Sequence, residues 1–448
     1  MNRKIFLLFT GVSFVFVMQA QNPIVPERIY MADPSAHVWR NGKLYVYGSV
    51  DESARYYCSR KYHVLVTSDM IHWEIVKDIF ASAGPGDQDQ VSYNDDLLFA
   101  PDCACKDGKY YLYYCQPNPE AAEGVAYADT PVGPFLHGQK IEAGGIEEID
   151  PCVFIDDDGQ GYYIWGQFHA KIAKLKPDMT GIDTTTIVED LLTEEEHHFH
   201  EGGYMIKRKG IYYFIYADIE RAGMPTCLGY ATSRSPMGPF PYRGVIIDND
   251  HCDPGNWNNH GSLVEYKGQW YVFYHRSTHD SKMMRKICVE PIHFNEDGSI
   301  NEVEMTSQGV GPPLNPCSRI EAERACLMRG NVRITSSAEG KEELGGIRNG
   351  DQVAYKYFDF NKDCRTFTAR VKPGKRRAKI FIATGEPWGK KLGTLNIPAR
   401  EKDNGWHEYH CHVEAVKGLH ALWLTFIVTG DDLLEIDWIK FSGSGSSR

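Results

Sequence analysis

The chain is short of positive charge. Its 448 residues hold 48 Lys and Arg against 60 Asp and Glu, a formal net charge of −12. A surface with that balance repels phosphate backbones, which argues against nucleic acid as the partner and suits a neutral or cationic one. Beyond residue 17 there is no long apolar run, so the body of the chain lacks the stretch of about 20 apolar residues that a membrane span needs. No His-Glu-x-x-His spacing occurs, which removes the helical zinc-protease arrangement. The run Glu194-Glu195-Glu196-His197-His198-Phe199-His200 is rich in ligand-type side chains. It enters a strand, where neighbours point to opposite faces, and it reads as a polar loop at a pocket rim. With 42% apolar and 24% charged residues, wholesale disorder is excluded as well.

The one long apolar run is N-terminal. Arg3 and Lys4, then Ile5 to Val17, then Met18-Gln19-Ala20 have the layout of a secretory signal cleaved after Ala20. The expectation is an exported protein, periplasmic or extracellular, with no membrane span. Twelve Cys are present. Cys103-Ala104-Cys105 is too tight for an easy bridge, and Cys115, Cys152 and Cys288 sit inside apolar strand-like runs. Buried free thiols are expected rather than a disulfide framework.

What the chain has in quantity is aromatic residues and turns: 26 Tyr, 20 Phe, 9 Trp, 42 Gly and 23 Pro. These favour β structure. One strand pattern recurs five times, with Gly in a turn followed by an aromatic, β-branched run. The turn glycines are Gly42, Gly108, Gly159, Gly210 and Gly268, at intervals of 66, 51, 51 and 58 residues. Val132-Gly133-Pro134-Phe135 and Met237-Gly238-Pro239-Phe240 are near-copies. Repeats of this length holding several short strands predict a five-bladed β-propeller.

A polar residue precedes each hairpin: Asp33, Asp102, Asp150, Glu201 and His260, at 9, 6, 9, 9 and 8 residues before the turn glycine. The innermost strand of every blade runs beside the axis, so these five side chains are expected to converge at one mouth of the channel. Carboxylates held close raise one another's pKa, which keeps an acid protonated near neutrality. Phe99 and Phe168 are candidates for stacking on a bound ligand, whereas Trp39 sits within a strand and reads as core.

Asp33-Pro34-Ser35, Phe99-Ala100-Pro101-Asp102, Glu148-Ile149-Asp150-Pro151, Glu201-Gly202-Gly203-Tyr204, Asn259-His260-Gly261-Ser262 and Tyr274-His275-Arg276 resemble the motifs of glycoside hydrolase family 43, in the family's order, over roughly residues 25 to 305. The resemblance implies a five-bladed propeller and a single-displacement, inverting mechanism. Asp33 would be the general base, Glu201 the general acid, and Asp150 the third carboxylate, which raises and positions the acid. Arg276 would reach the pocket floor, and His260 would help hold a hydrated axial cation, usually Ca²⁺; a neutral, hydrogen-bonded His260 is the equal alternative. The segment after the acid departs from the family, reading Gly-Gly-Tyr where Gly-Pro-Tyr or Ala-Pro-Tyr is common. The expected substrate is a polysaccharide or oligosaccharide of plant origin losing terminal sugars, α-L-arabinofuranosyl residues first, with β-xylosidase and β-galactofuranosidase as alternatives. A non-catalytic glycan-binding propeller is the alternative of another class.

The pattern stops at Gln308-Gly309-Val310-Gly311-Pro312-Pro313. The chain divides into a signal (1–20), a propeller (21–307), a linker (308–317), a β-sandwich or jelly-roll module (318–443) and a tail (444–448). Ile320-Glu321-Ala322-Glu323, Asn349 to Tyr355 and Glu435 to Phe441 resemble a family 6 carbohydrate-binding module. That resemblance makes Glu321, Glu323 and Asp437 candidates for a structural Ca²⁺, and Tyr355 and Trp388 candidates for the sugar-binding aromatics. A packing domain without glycan affinity is the equal alternative.

Overall fold

The computed structural model describes residues 14–16 and 21–443, apart from 86–88, 119–121, 147, 222, 338–339, 401–404 and 431. The expected signal and tail thus lie outside the described residues, except for the short strand Phe14–Phe16 against the strand Trp73–Ala81.

Five antiparallel blades follow one another around an axis. Their innermost strands are Met31–Val38, Phe99–Lys106, Cys152–Ile155, Phe199–Arg208 and Ser262–Tyr266. Each is followed by the Gly-turn hairpin strand read in the sequence: Leu44–Val50, Lys109–Cys115, Gly161–Trp165, Ile211–Asp218 and Gln269–Thr278. The first four blades have four strands from Met31 to Asp248, and the fifth closes on the long strand Ser281–Ile292. The N-terminal segment is tied to that last strand: Ile24 N–H donates to Ile287 O at 3.0 Å, and Val289 N–H donates to the Asn22 side chain at 2.9 Å. Apolar side chains fill the wedges between blades, with Tyr47, Tyr114, Tyr163 and Tyr213 fully buried; aromatic rings suit this role because the wedge widens outward.

Three inner strands carry the same irregularity. Pairing shifts by one residue between Ala32 and Ser35, between Phe99 and Asp102, and between Glu201 and Tyr204. A one-residue bulge re-aims the side chains beside it. Here the bulges hold Asp33-Pro34, Ala100-Pro101 and Gly202-Gly203, at the mouth of the channel.

Residues 320–443 form two packed sheets. One holds Arg333–Ser336, Glu342–Ile347, Leu434–Ser442, Thr366–Lys372 and His407–His412; the other holds Leu327–Arg329, Gln352–Asp359, Leu419–Val428, Ala378–Thr384 and Lys390–Ile397. Their inner faces share one core, including Leu344, Phe367, Leu424 and Ile436. The segment read as a linker is docked rather than free: Gln308 N–H donates to Lys356 O at 2.9 Å, and Leu314 is fully buried in the sandwich core. The two domains also share a buried ion pair, Lys286 to Glu342 at 2.6 Å.

Candidate active site

Asp33, Asp150, Glu201 and His260 line one cavity of about 210 Å³ at a mouth of the propeller channel. Phe99, Ala100, Gln167, Trp257 and Asn258 share its wall. Four of the five polar residues expected to converge therefore do so, each from a different blade.

Asp33 is the most tightly held. Its Oδ1 is 2.7 Å from Arg285 Nη1, and its Oδ2 accepts from Ser49 Oγ at 2.6 Å. Burial alone would raise this carboxyl. The Arg285 guanidinium more than reverses that and holds it well below the usual carboxylate range. Asp150 goes the other way: burial, then the neighbouring charges of Glu201 and Asp33, push it well above. Both aspartates sit in left-handed backbone, φ 53° and 60°, a conformation that Asp tolerates better than most residues but that still stores strain. Each precedes a proline, which disfavours compact backbone further.

Glu201 enters from the fourth blade, buried at the start of its bulge. Its Oε1 accepts from Asn258 Nδ2 at 2.8 Å and its Oε2 from Gln167 Nε2 at 2.9 Å. Gly202, at φ 68°, leaves room for the His260 ring, which a Cβ there would approach to 3.0 Å. At Gly203 a Cβ would stand 2.7 Å from the Phe214 ring. This is the position where Pro is common in the family, and Phe214 occupies the space a larger residue would take.

Three expected residues are elsewhere. Asp102 does not line the cavity. Its carboxylate is bound to Ser35 Oγ, to His37 Nε2 at 2.7 Å and to the Val153 N–H at 2.6 Å. It follows its bulge where Asp33 lies within one, so it matches Ser35 in register and turns into the channel lining. Arg276 also points away, donating to Tyr274 Oη at 2.5 Å and Thr306 O at 2.7 Å. The arginine that reaches the pocket is Arg285, on the next strand. Phe168, 44% exposed, stands outside the lining and packs edge-on against the His200 ring at 5.1 Å. His200 lines the cavity, with Nδ1 2.8 Å from Glu194 Oε1, so the His-rich run is a rim segment that contributes one imidazole.

The described side chains supply no direct calcium cage, which leaves contact through water as the form the axial expectation would take. Ca²⁺ takes six to eight oxygen ligands. His260 offers a ring nitrogen, with Nδ1 3.7 Å from Asp33 and 3.9 Å from Asp150, and burial pushes the imidazole down. Among the described residues no three His, Cys, Asp or Glu groups are arranged to hold a metal ion. In the sandwich, Glu321 is paired with Arg319 at 2.7 Å and Asp437 with Arg370 at 2.6 Å. Glu323 is buried apart from them, and that burial pushes its carboxyl up to about 8. Two of the three carboxylates are thus matched by guanidiniums, while Glu323 keeps its Oε2 buried without a hydrogen-bond partner among the described residues. Tyr355 is fully buried, its hydroxyl donating to Ala322 O at 2.8 Å, whereas Trp388 is 77% exposed.

Comparison with known proteins identifies both domains. Residues 20–300 match the model of glycosyl hydrolases family 43, and residues 321–443 match the carbohydrate binding module of family 6. The chain is 30% identical to a xylosidase/arabinosidase of Thermoclostridium stercorarium, over 93% of this chain and 98% of that one. It is 29% identical to an arabinoxylan arabinofuranohydrolase of Bacillus subtilis, over 94% of this chain and 92% of the relative. The crystal structure of a family 43 arabinoxylan arabinofuranohydrolase from Bacillus subtilis, in complex with cellotetraose, superposes with a TM-score of 0.55 at 28% identity, covering 95% of this chain and 99% of that one. The chain belongs to glycosyl hydrolases family 43 and is an inverting glycoside hydrolase, a five-bladed propeller carrying its acidic site at one mouth and a β-sandwich module behind it.

Proposed function

We propose that the enzyme removes single terminal sugars, α-L-arabinofuranosyl residues first, from plant arabinoxylan-type polysaccharide outside the cytoplasm. The observation that carries the reading is the opposed environment of two aspartates in one pocket: Asp33 held ionised by Arg285, Asp150 driven towards its protonated form. Inverting hydrolysis needs an ionised carboxylate as base and a proton held elsewhere in the same pocket. Asp33 takes the proton of a water that attacks the anomeric carbon, while Glu201 gives a proton to the leaving glycosidic oxygen. Asp150 is the neighbouring carboxyl that keeps a proton in the site, and the Gln167 and Asn258 amides fix Glu201.

The size of the pocket favours an end over an internal segment. A cavity of about 210 Å³ is smaller than the roughly 300–1,000 Å³ of pockets for drug-sized ligands. The sugar preference rests on domain organisation. Relatives matched along 93–94% of this chain, sandwich included, are a xylosidase/arabinosidase and arabinoxylan arabinofuranohydrolases. A β-xylosidase of Xylanibacter ruminicola, 33% identical, matches 61% of this chain, and a β-D-galactofuranosidase of Aspergillus niger 65%. These two define the alternative substrates.

A panel of aryl arabinofuranosides, xylosides and galactofuranosides, with the first product's anomer read by NMR, tests the reading. Arabinofuranosides should turn over fastest, with inversion. Glu201→Gln should lose about 100-fold or more on arabinoxylan oligosaccharides and much less on a dinitrophenyl glycoside, whose leaving group needs no proton. Retention of configuration, or an equal loss on both substrates, contradicts the assignment.

A further inference from the structure

We propose that His275 is a positioning residue that ties the general base to the holder of the general acid. The proposal rests on the roles given above to Asp33 and Glu201. His275 is fully buried on the hairpin strand of the fifth blade. Its Nε2 lies 3.1 Å from the Asn258 carbonyl oxygen, and its Nδ1 lies 3.4 Å from the Asp33 backbone nitrogen. A carbonyl oxygen only accepts, so the ring N–H sits on Nε2. Nδ1 is then left to accept from the Asp33 N–H. One imidazole thereby spans from the bulge that aims Asp33 to the residue whose side chain donates to Glu201 Oε1 at 2.8 Å. Asn249 reinforces the same corner, donating from Nδ2 to Asn258 O at 2.9 Å and to His275 O at 2.8 Å. Asp33 is in left-handed backbone, and an acceptor for its N–H is what such a strained position requires.

The two ends of the ring are separable by substitution. Gln places a donor near Nε2, and Asn places a polar atom near Nδ1. His275→Gln keeps the Asn258 end and frees Asp33. Its rate should fall about tenfold or more on every substrate, because every substrate needs the activated water. His275→Asn keeps the Asp33 end and loosens the acid's holder. It should lose about tenfold on arabinoxylan oligosaccharides but less than about threefold on a dinitrophenyl arabinofuranoside, with KM nearly unchanged. Asn258→Ala should reproduce the His275→Asn pattern and keeps the idea testable should a ring variant fail to fold. Equal losses on both substrates in all three variants, or losses under twofold, overturn the proposal. Failure of the functional reading looks different: the wild type itself would turn over none of these substrates.

A second observation stands apart from the site. The sulfurs of Cys317, in the docked linker, and Cys364, at the sandwich edge, are 3.9 Å apart. We infer that this pair becomes a disulfide once the chain meets an oxidising compartment. The bond forms by exchange. A thiolate of the pair attacks a small-molecule disulfide such as oxidised glutathione, releasing one thiol, and the second thiolate then displaces the other, so the oxidant leaves as two thiols. The bridge would staple the inter-domain segment to the sandwich. Purified protein is incubated with oxidised glutathione, denatured, alkylated and digested. The expected result is a Cys317–Cys364 linked peptide and an intact mass about 2 Da lower, absent in Cys317→Ser, with a thermal midpoint several degrees higher than that of the reduced form. Alkylation of all twelve cysteines after exposure overturns it.

Discussion

Asp33→Asn should lower kcat about 1,000-fold, within the range for loss of a general base, with the fold and KM little changed. Asn is close to isosteric, so its amide oxygen still accepts from Arg285 while its NH2 turns to the Ser49 hydroxyl, which can accept, whereas Ala would leave Arg285 facing a hole. The wild-type pH profile supplies the second half of the result. Arg285 holds the Asp33 carboxyl below the usual range despite its burial. The acid limb of kcat/KM should therefore lie below pH ~4, where an ordinary aspartate titrates. Lowering the pH through that value leaves Asp33 ionised and the rate intact; only a further fall protonates it. Initial rates from pH 3 to 8 and a thermal melt of the variant check both parts. A variant that keeps a tenth of the wild-type rate removes Asp33 from the role of base.

The residues of this pocket differ in how far the sequence betrays them, and the reason is register. Asp33, Asp150 and Glu201 stand 9 residues before their turn glycines and His260 stands 8, and these similar offsets bring all four to one mouth, because hairpins of similar length place such positions at similar heights on the axis. Asp102 stands 6 before its own. That odd offset carried the information that it lies beyond the bulge, beside Ser35, rather than within it beside Asp33. The family resemblance puts Arg276 at the pocket floor, but alternation on a strand sends neighbours to opposite faces. His275 faces the base, so Arg276 cannot. Gln167 and Asn258 carry no charge and belong to no repeat, and nothing in a single sequence separates them from other amides in turns. The blades were legible because turn chemistry is local. The polar groups that serve the carboxylates were not, because they arrive from other strands through long-range packing.

Arg285 is the sharpest case, and Arg285→Met should cost both stability and rate. Its guanidinium forks onto Asp51, with Nε and Nη2 each 2.9 Å from a carboxylate oxygen, while Nη1 reaches Asp33 at 2.7 Å. All three side chains are buried, at 3%, 0% and 5% exposure. Removing the one cation between two buried carboxylates leaves both uncompensated, a loss of about 3–5 kcal/mol for a buried ion pair broken from one side. For domains of this size that lowers the melting temperature by roughly 10 °C or more. The loss has a pH signature whose sign follows from Asp33. In the wild type its pKa is depressed, so it adds stability above the unfolded value and loses it as pH falls. Without Arg285 the burial term is unopposed and the pKa is raised. The variant is then relatively most stable at low pH and weakens as pH rises through the unfolded value. The gap between the two melting curves should therefore be wide at pH 7 and narrow towards pH 4, and the acid limb of kcat/KM should move to higher pH. Arg285→Lys should recover only part of either loss, because one ammonium cannot fork onto Asp51 and reach Asp33 together. Melts and rate profiles of the two variants that overlay the wild type would mean that the base keeps its charge by some other means, and the division of labour between Asp33 and Glu201 would lose its cause.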